Sequence, residues 1–149
     1  MACPFFMPTH RIEQGSWLHP SRLPLGAGWD GHCTVPGHVG DRPHEQNLKE
    51  SCNLGYAAGC SWFPSDHAWD SVRFAVERKC EDRVLIVYAC EKKHRPRIHG
   101  TLEFDSIRSH WTKPHEDPRV QRMAECYLES YFNKQERPAT DLLPQTSHE

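Results

Sequence analysis

Between residues 71 and 131 apolar and polar positions recur with clear periods. Val72, Phe74 and Val76 alternate with Arg73, Ala75 and Glu77, the pattern of a strand with one buried face. Lys79 to Asp82 reads as a turn, and the apolar run from Val84 to Cys90 as a second, more deeply buried strand. After the polar segment Lys92 to Arg97, a period of two returns: Ile98, Gly100, Leu102 and Phe104 against His99, Thr101, Glu103 and Asp105. Three strands joined by short turns make an antiparallel meander. The period then becomes helical, with Val120, Met123, Ala124, Tyr127, Leu128 and Tyr131 on one face. Asp117 is placed to cap that helix and Pro118 to fill its first turn. Its apolar face is expected to lie across the meander.

The first 66 residues have no such period. Residues 1–60 hold eight of the nine glycines and six of the twelve prolines, and each proline removes an amide donor and restrains its neighbour. One helix is expected there, from about Pro43 to Cys52, with Asp41 as cap and Gly55 at its exit. The expected fold class is therefore α+β. Residues 1–66 form a loop-rich section, 67–135 a three-stranded antiparallel meander with the C-terminal helix packed on it, and 136–149 a flexible tail, all in a single domain.

Composition sharpens this picture at the front. Only 37% of residues are hydrophobic, so apolar burial alone is a weak source of order for the aperiodic section. The formal net charge of −2 gives no overall field toward nucleic acid or an anionic membrane. Pro4 and Pro8 break the apolar start and no basic residue precedes it, unlike a signal peptide, and Val84 to Cys90 is too short for membrane insertion. A cytoplasmic location is expected, where seven cysteines point to metal or thiol chemistry more than to disulfides.

Four of those cysteines, Cys3, Cys33, Cys52 and Cys60, lie in the Gly/Pro-rich section. They are read as the ligands of one metal centre that helps fold it. A structural zinc site usually brings paired C-x2-C knuckles, which are absent here. Single, dispersed cysteines suit a [4Fe–4S] cluster better, because each iron takes one thiolate and the ligands can arrive from separate loops. The dispersal and the Cys3-Pro4 step loosely resemble the ligand sets of some electron carriers and nucleic-acid enzymes, a likeness too small to name a family. Zinc is the alternative metal, with His32, His38 or His44 as substitute ligands and His67 as a further histidine nearby. Gly37, Gly40, Gly55 and Gly59 are expected to let amides approach sulfur, and Phe5, Phe6, Trp29, Tyr56 and Trp62 to exclude water. Cys80, Cys90 and Cys126 are read as ordinary thiols: one in a turn, one on the buried face of its strand, one at the margin of the helix's apolar face.

The remaining motifs are weaker. Gly26, Gly28 and Gly31 satisfy G-x-G-x-x-G, but Pro24 precedes them and no helical pattern follows, so the segment is read as pliable backbone delivering Cys33. The histidine pairs His94/His99 and His110/His115 have prolines between them and do not share a helix face. Lys92, Lys93, Arg95 and Arg97, with Arg78 and Lys79, form a basic patch diluted by Glu81, Asp82 and Glu91. No catalytic signature is present. The expected function is a small, non-catalytic iron–sulfur protein for electron transfer or for support of a larger complex. The alternative is a zinc-stabilised adaptor binding a protein or, secondarily, a nucleic acid.

Overall fold

The computed structural model describes residues 2–12, 23–55 and 57–136. Of the tail expected over 136–149, Glu136 instead ends the C-terminal helix and 137–149 lie outside the described residues, as do Trp17 and Tyr56. The class is α+β: two antiparallel sheets of two and four strands, a short helix and a long C-terminal helix.

The large sheet has the order β3 (Ser71–Lys79), β4 (Arg83–Lys92), β5 (Arg95–Asp105) and β6 (His110–Lys113). Its first three strands are the expected meander. Val72 lies opposite Cys90 and Cys90 opposite Ile98, while Val76 meets Ile86 and Ile86 meets Leu102, so the period-two positions share one face. The turn between β4 and β5 is shorter than expected. Lys93 and His94 both have positive φ, 53° and 64°, the two-residue hairpin that matches strand twist, and Arg95 to Arg97 join β5. Strand β6 is an addition that sequence pattern does not announce. It has four residues and one large apolar side chain, Trp111, whose ring meets Phe104 edge-on at 5.3 Å.

The front section contains a second sheet that also went unannounced. β1 (Phe6–Arg11) pairs with β2 (Trp29–Cys33), with an irregularity between Pro8 and His10. Proline in β1 and glycine in β2 hide both strands from a propensity argument. Gly31 is required by the packing: a Cβ there would lie 2.2 Å from the Met7 carbonyl oxygen. The expected front helix exists as α1 (Glu45–Asn47), running on into a π-helical turn, Leu48–Cys52. Its N-cap is His44, which makes no side-chain cap bond, and not Asp41. The carbonyl of Asp41 instead accepts the Cys33 N–H at 2.8 Å. As expected, Cys52 ends the helix, and Gly55 beyond it has a φ of +81°.

Helix α2 (Pro118–Glu136) is capped as expected, with the Asp117 carboxylate accepting the N–H of Arg119 at 2.9 Å. It contacts β1 and β3 and so ties the two sheets together, where sequence pattern placed it across the meander. Arg122 donates to the carbonyls of Pro8 (2.9 Å) and Thr9 (3.1 Å), and Arg119 to the Thr34 hydroxyl (3.2 Å). Phe6, Trp29, Leu48 and Cys52 from the front share one buried cluster with Val72, Cys90, Val120, Met123 and Cys126. A second cluster, Val84, Ile86 and Leu128, is fringed by Phe74, Phe104, Trp111 and Tyr127.

Candidate metal centre

Four separate backbone devices carry the four front cysteines to one place. Ala2 is bridged to Val72 by two hydrogen bonds of 2.7 and 2.8 Å, which fixes the chain just before Cys3. The Cys3 N–H then donates to the Cys52 carbonyl at 3.1 Å, joining the first ligand segment to the π turn. The extra residue of that turn closes through Asn53 N–H to Leu48 O at 3.1 Å, a geometry frequent at functional sites.

Buried Asn53 holds the turn against β2. It accepts from the Trp29 N–H at 2.9 Å and donates to the carbonyls of Trp29 (2.9 Å) and Leu48 (2.8 Å). Cys33 ends β2 opposite Phe6 and is clasped by a loop whose Gly40 N–H returns to its carbonyl at 2.9 Å. Cys60 follows the 3₁₀ turn Ala57–Gly59 and its N–H donates to Ala57 O at 2.9 Å.

Cys3, Cys33, Cys52 and Cys60 line a single pocket with Phe6, Val35, Pro43, Ser51, Trp62 and Phe63. Ser51 is the only hydroxyl in the lining, and the other walls are apolar. The space between them is about 20 Å³, on the scale of one water. Cys3, Cys33 and Cys52 are buried and Cys60 is half-buried; all seven cysteines of the chain are free thiols.

Burial pushes the Cys3 thiol up to about 12, and the nearby Cys33 and Cys60 raise it further against amide hydrogen bonds. Burial, then the other three thiols, pushes Cys52 well above the usual range. The Val35 N–H donates to the Cys33 sulfur at 3.4 Å, while the Phe6 and Thr34 N–H groups donate to the carbonyls of Cys3 (3.1 Å) and Phe5 (3.0 Å). The sulfur donor belongs to a residue just after the cysteine and not to the glycines expected to provide it. Among the described residues, no three His, Cys, Asp or Glu side chains are grouped tightly enough to grip one metal ion.

The histidines named as substitute ligands do not line the pocket. His32 pairs with Met7 in the small sheet. His38 stacks on Trp62 at 3.9 Å with 10° between the rings and holds Asp41 at 3.2 Å, while His44 meets Trp62 at 6.3 Å. Both therefore flank a wall residue of the pocket. Phe63 is a wall that sequence reasoning missed. It packs edge-on against Phe5 at 5.7 Å and meets His67 at 4.4 Å, and nothing in a lone Phe before Pro64 announces either contact. Of the aromatic residues expected to exclude water, Phe6 and Trp62 line the pocket, whereas Trp29 is buried in the core beside it.

Cys90 and Cys126 lie in the core, Cys126 fully buried where the helical period put it at a margin, and Cys80 is half-buried in its turn. A wider cleft of about 810 Å³ adjoins the thiol pocket and shares Ser51 and Phe63 with it. His67 closes one side, its ring nitrogens at 2.6 Å from the Pro64 carbonyl and 2.5 Å from Asp70. One cation of the basic patch is spent locally, the Lys92 ammonium donating to the His67 carbonyl at 3.0 Å, and the backbone N–H of Lys93 donates to Asp70 at 2.7 Å. Among the described residues, no helix is long and apolar enough to cross a membrane. No protein-family model matches the chain, and no curated protein or solved structure matches it at a significant level.

Proposed function

We propose that the chain carries an iron–sulfur cluster, of the [4Fe–4S] type, on Cys3, Cys33, Cys52 and Cys60, and that it works as a one-electron carrier in a reducing compartment. The observation that carries this reading is the convergence of four thiols, from four separate segments, on one apolar pocket. An apolar wall and an amide donor on sulfur, as Val35 N–H on Cys33, are the surroundings that tune a cluster's potential.

The dispersal of the ligands favours a cluster over zinc, since no paired C-x2-C knuckle is present and the four thiols arrive from four separate segments. A cluster sets a separate iron behind each thiolate and so accepts wider ligands. Because buried thiols must lose their protons to ligate, loading releases protons and strengthens as pH rises.

The test is anaerobic purification followed by a visible spectrum and measurement of iron, sulfide and zinc. A brown protein with near-equal iron and sulfide that bleaches on reduction is the expected result. A colourless protein with one zinc transfers the same thiols to a structural role in an adaptor. Metal-free protein with a folded front section overturns both.

A further inference from the structure

In sequence, Lys92 to Arg97 with Arg78 and Lys79 form one diluted basic patch, which the fold divides. Arg78 and Lys79 close β3 beside Glu81 and Asp82 at one end of β4, and Lys92 to Arg97 turn at the other end. Glu91, the remaining acid of the patch, is buried and its carboxylate accepts from Arg73 Nε at 2.6 Å. Asp70, beside the turn, accepts from the His67 ring at 2.5 Å and from the Lys93 N–H at 2.7 Å. Lys93, Arg95 and Arg97 pair with no carboxylate among the described residues, and the Lys92 ammonium donates to a neutral carbonyl. The acids that dilute the patch in sequence are elsewhere or already engaged.

This end of the hairpin also stands clear of the rest of the molecule. Every residue from Lys93 to His99 is exposed, on both faces of the ribbon, and Ile98 is 45% exposed although it shares a face with buried Leu102. The turn itself is built against propensity. Lys93 and His94 hold positive φ, 53° and 64°, where Asn-Gly is the usual pair because most side chains are strained there. They are two of the three non-glycine residues with positive φ among the described residues. A strained turn that keeps a cation and an imidazole at its apex points to a contact made by that apex.

We infer that the β4–β5 hairpin end docks on the phosphate backbone of duplex DNA, the ribbon lying along the major groove with Lys93, Arg95 and Arg97 on the phosphates. None of these residues belongs to the thiol pocket, so the surface is independent of which metal fills it. Two strands about 5 Å apart, with their side chains, fit a B-form major groove about 12 Å wide, whereas the A-form groove of RNA is too narrow. Single-strand sites stack bases on aromatic rings, and Lys93 to His99 include no Phe, Tyr or Trp. A tip that enters a bilayer carries large apolar side chains at its apex, and here the apex is Lys93 and His94. The net charge of −2 matters little at this distance, since charges beyond about 10 Å are largely screened at 0.1 M salt. Three neutralised phosphates give weak, sequence-independent binding whose log K falls with log salt at a slope of about −3.

The full chain is titrated into a fluorescein-labelled duplex of about twenty base pairs, and anisotropy is read between about 50 and 200 mM salt. A slope of about −3 is expected for the native sequence. Arg95→Gln combined with Arg97→Gln should flatten the slope by about two units and weaken low-salt binding about tenfold or more. Arg108→Gln, the same change in the β5–β6 turn at the far end of β5, should alter binding less than about twofold. Lys93→Asn combined with His94→Gly installs the preferred turn pair. It should raise the urea midpoint and still flatten the slope by about one unit. A turn with a purely structural role would gain the stability and lose no binding.

A slope unchanged by Arg95→Gln with Arg97→Gln, or an equal loss in Arg108→Gln, overturns the docking surface. A single strand or an RNA duplex bound as tightly as the DNA duplex removes the groove and overturns it too. Binding to vesicles of equal phosphatidylserine and phosphatidylcholine, or to polyglutamate, with none to duplex DNA assigns the tip to an anionic lipid surface or an acidic protein. That result also overturns it. Iron content bears on none of these outcomes, so failure here leaves the iron–sulfur reading standing.

Discussion

The two halves of the molecule meet in one core but are specified in different ways. In β3, β4, β5 and α2 the instruction is spread over many apolar side chains at regular spacing, and each is one contributor among several. In the front section it is concentrated in single groups: Asn53 bonded to three backbone atoms, Gly31 under the Met7 carbonyl, and four thiols around one pocket. Distributed instruction tolerates substitution gradually. Concentrated instruction fails at a point.

The sharpest way to break the comparison is to remove a ligand. Cys52→Ser in the iron-loaded protein is expected to abolish cluster binding and to expose the amides of β1, β2 and the π turn to rapid hydrogen exchange, while β4 and β5 stay protected. Cys80→Ser should change neither iron content nor exchange, since that thiol sits in the β3–β4 turn away from the pocket. Loss of protection across both halves in Cys52→Ser would mean that the front is not a separate dependency. Iron loss in Cys80→Ser would mean the ligand set is wrong.

Next in size is Met123→Ala. Met123 is fully buried on α2 in the cluster that joins Phe6 and Trp29 to Val72 and Cys90. Truncating a buried side chain of this kind costs about 2–5 kcal/mol. Because the residue belongs to both halves, both should weaken together, with coincident urea transitions by tryptophan fluorescence and far-UV circular dichroism. Asn53→Ala should separate them again. It strands the Trp29 amide and the carbonyls it served, a penalty of about 1–3 kcal/mol, and hydrogen exchange should report it in the front section alone.

The same contrast explains what was legible beforehand. The period-two and helical runs gave the three-stranded meander and α2, because burial on one face must repeat with the backbone, but not the polar strand ends Lys79, Lys92 and Arg95 to Arg97, which carry no such period. Strand β6 was hidden by its brevity, with Trp111 as the only large apolar residue in four. β1 and β2 were hidden by Pro8 and Gly31, which the local geometry requires and which propensity counts against a strand. The docking of α2 on β1 depends on Arg119 and Arg122 reaching backbone and hydroxyl partners far away in sequence, and no spacing rule encodes that. At the pocket, residue type alone singled out Cys3, Cys33, Cys52 and Cys60. The walls Phe63, Val35 and Pro43 were invisible, as was the Val35 amide that faces the Cys33 sulfur.

The smallest expected effect lies in the periodic half, at the cap of α2. The Asp117 carboxylate is raised by partial burial but lowered more by the side chain and N–H of Arg119 and the N–H of Val120, so its folded value sits below the usual one. A carboxyl depressed on folding adds stability above its unfolded value of about 3.9 and loses it as pH falls through the lower folded value. Asp117→Ala, which removes the cap, should therefore lower stability by about 1 kcal/mol at pH 7, read as a shifted urea midpoint with unchanged slope. Asp117→Asn keeps the cap oxygen and removes only the charge, so it should lose less than Asp117→Ala. As pH falls below about 3.9 toward the lower folded value, the gap between Asp117→Asn and the native sequence should narrow. A gap that stays constant between pH 7 and pH 3 would show that the carboxylate's charge contributes nothing at this helix end. A shift larger than that of Asn53→Ala would reverse the contrast between distributed and concentrated instruction.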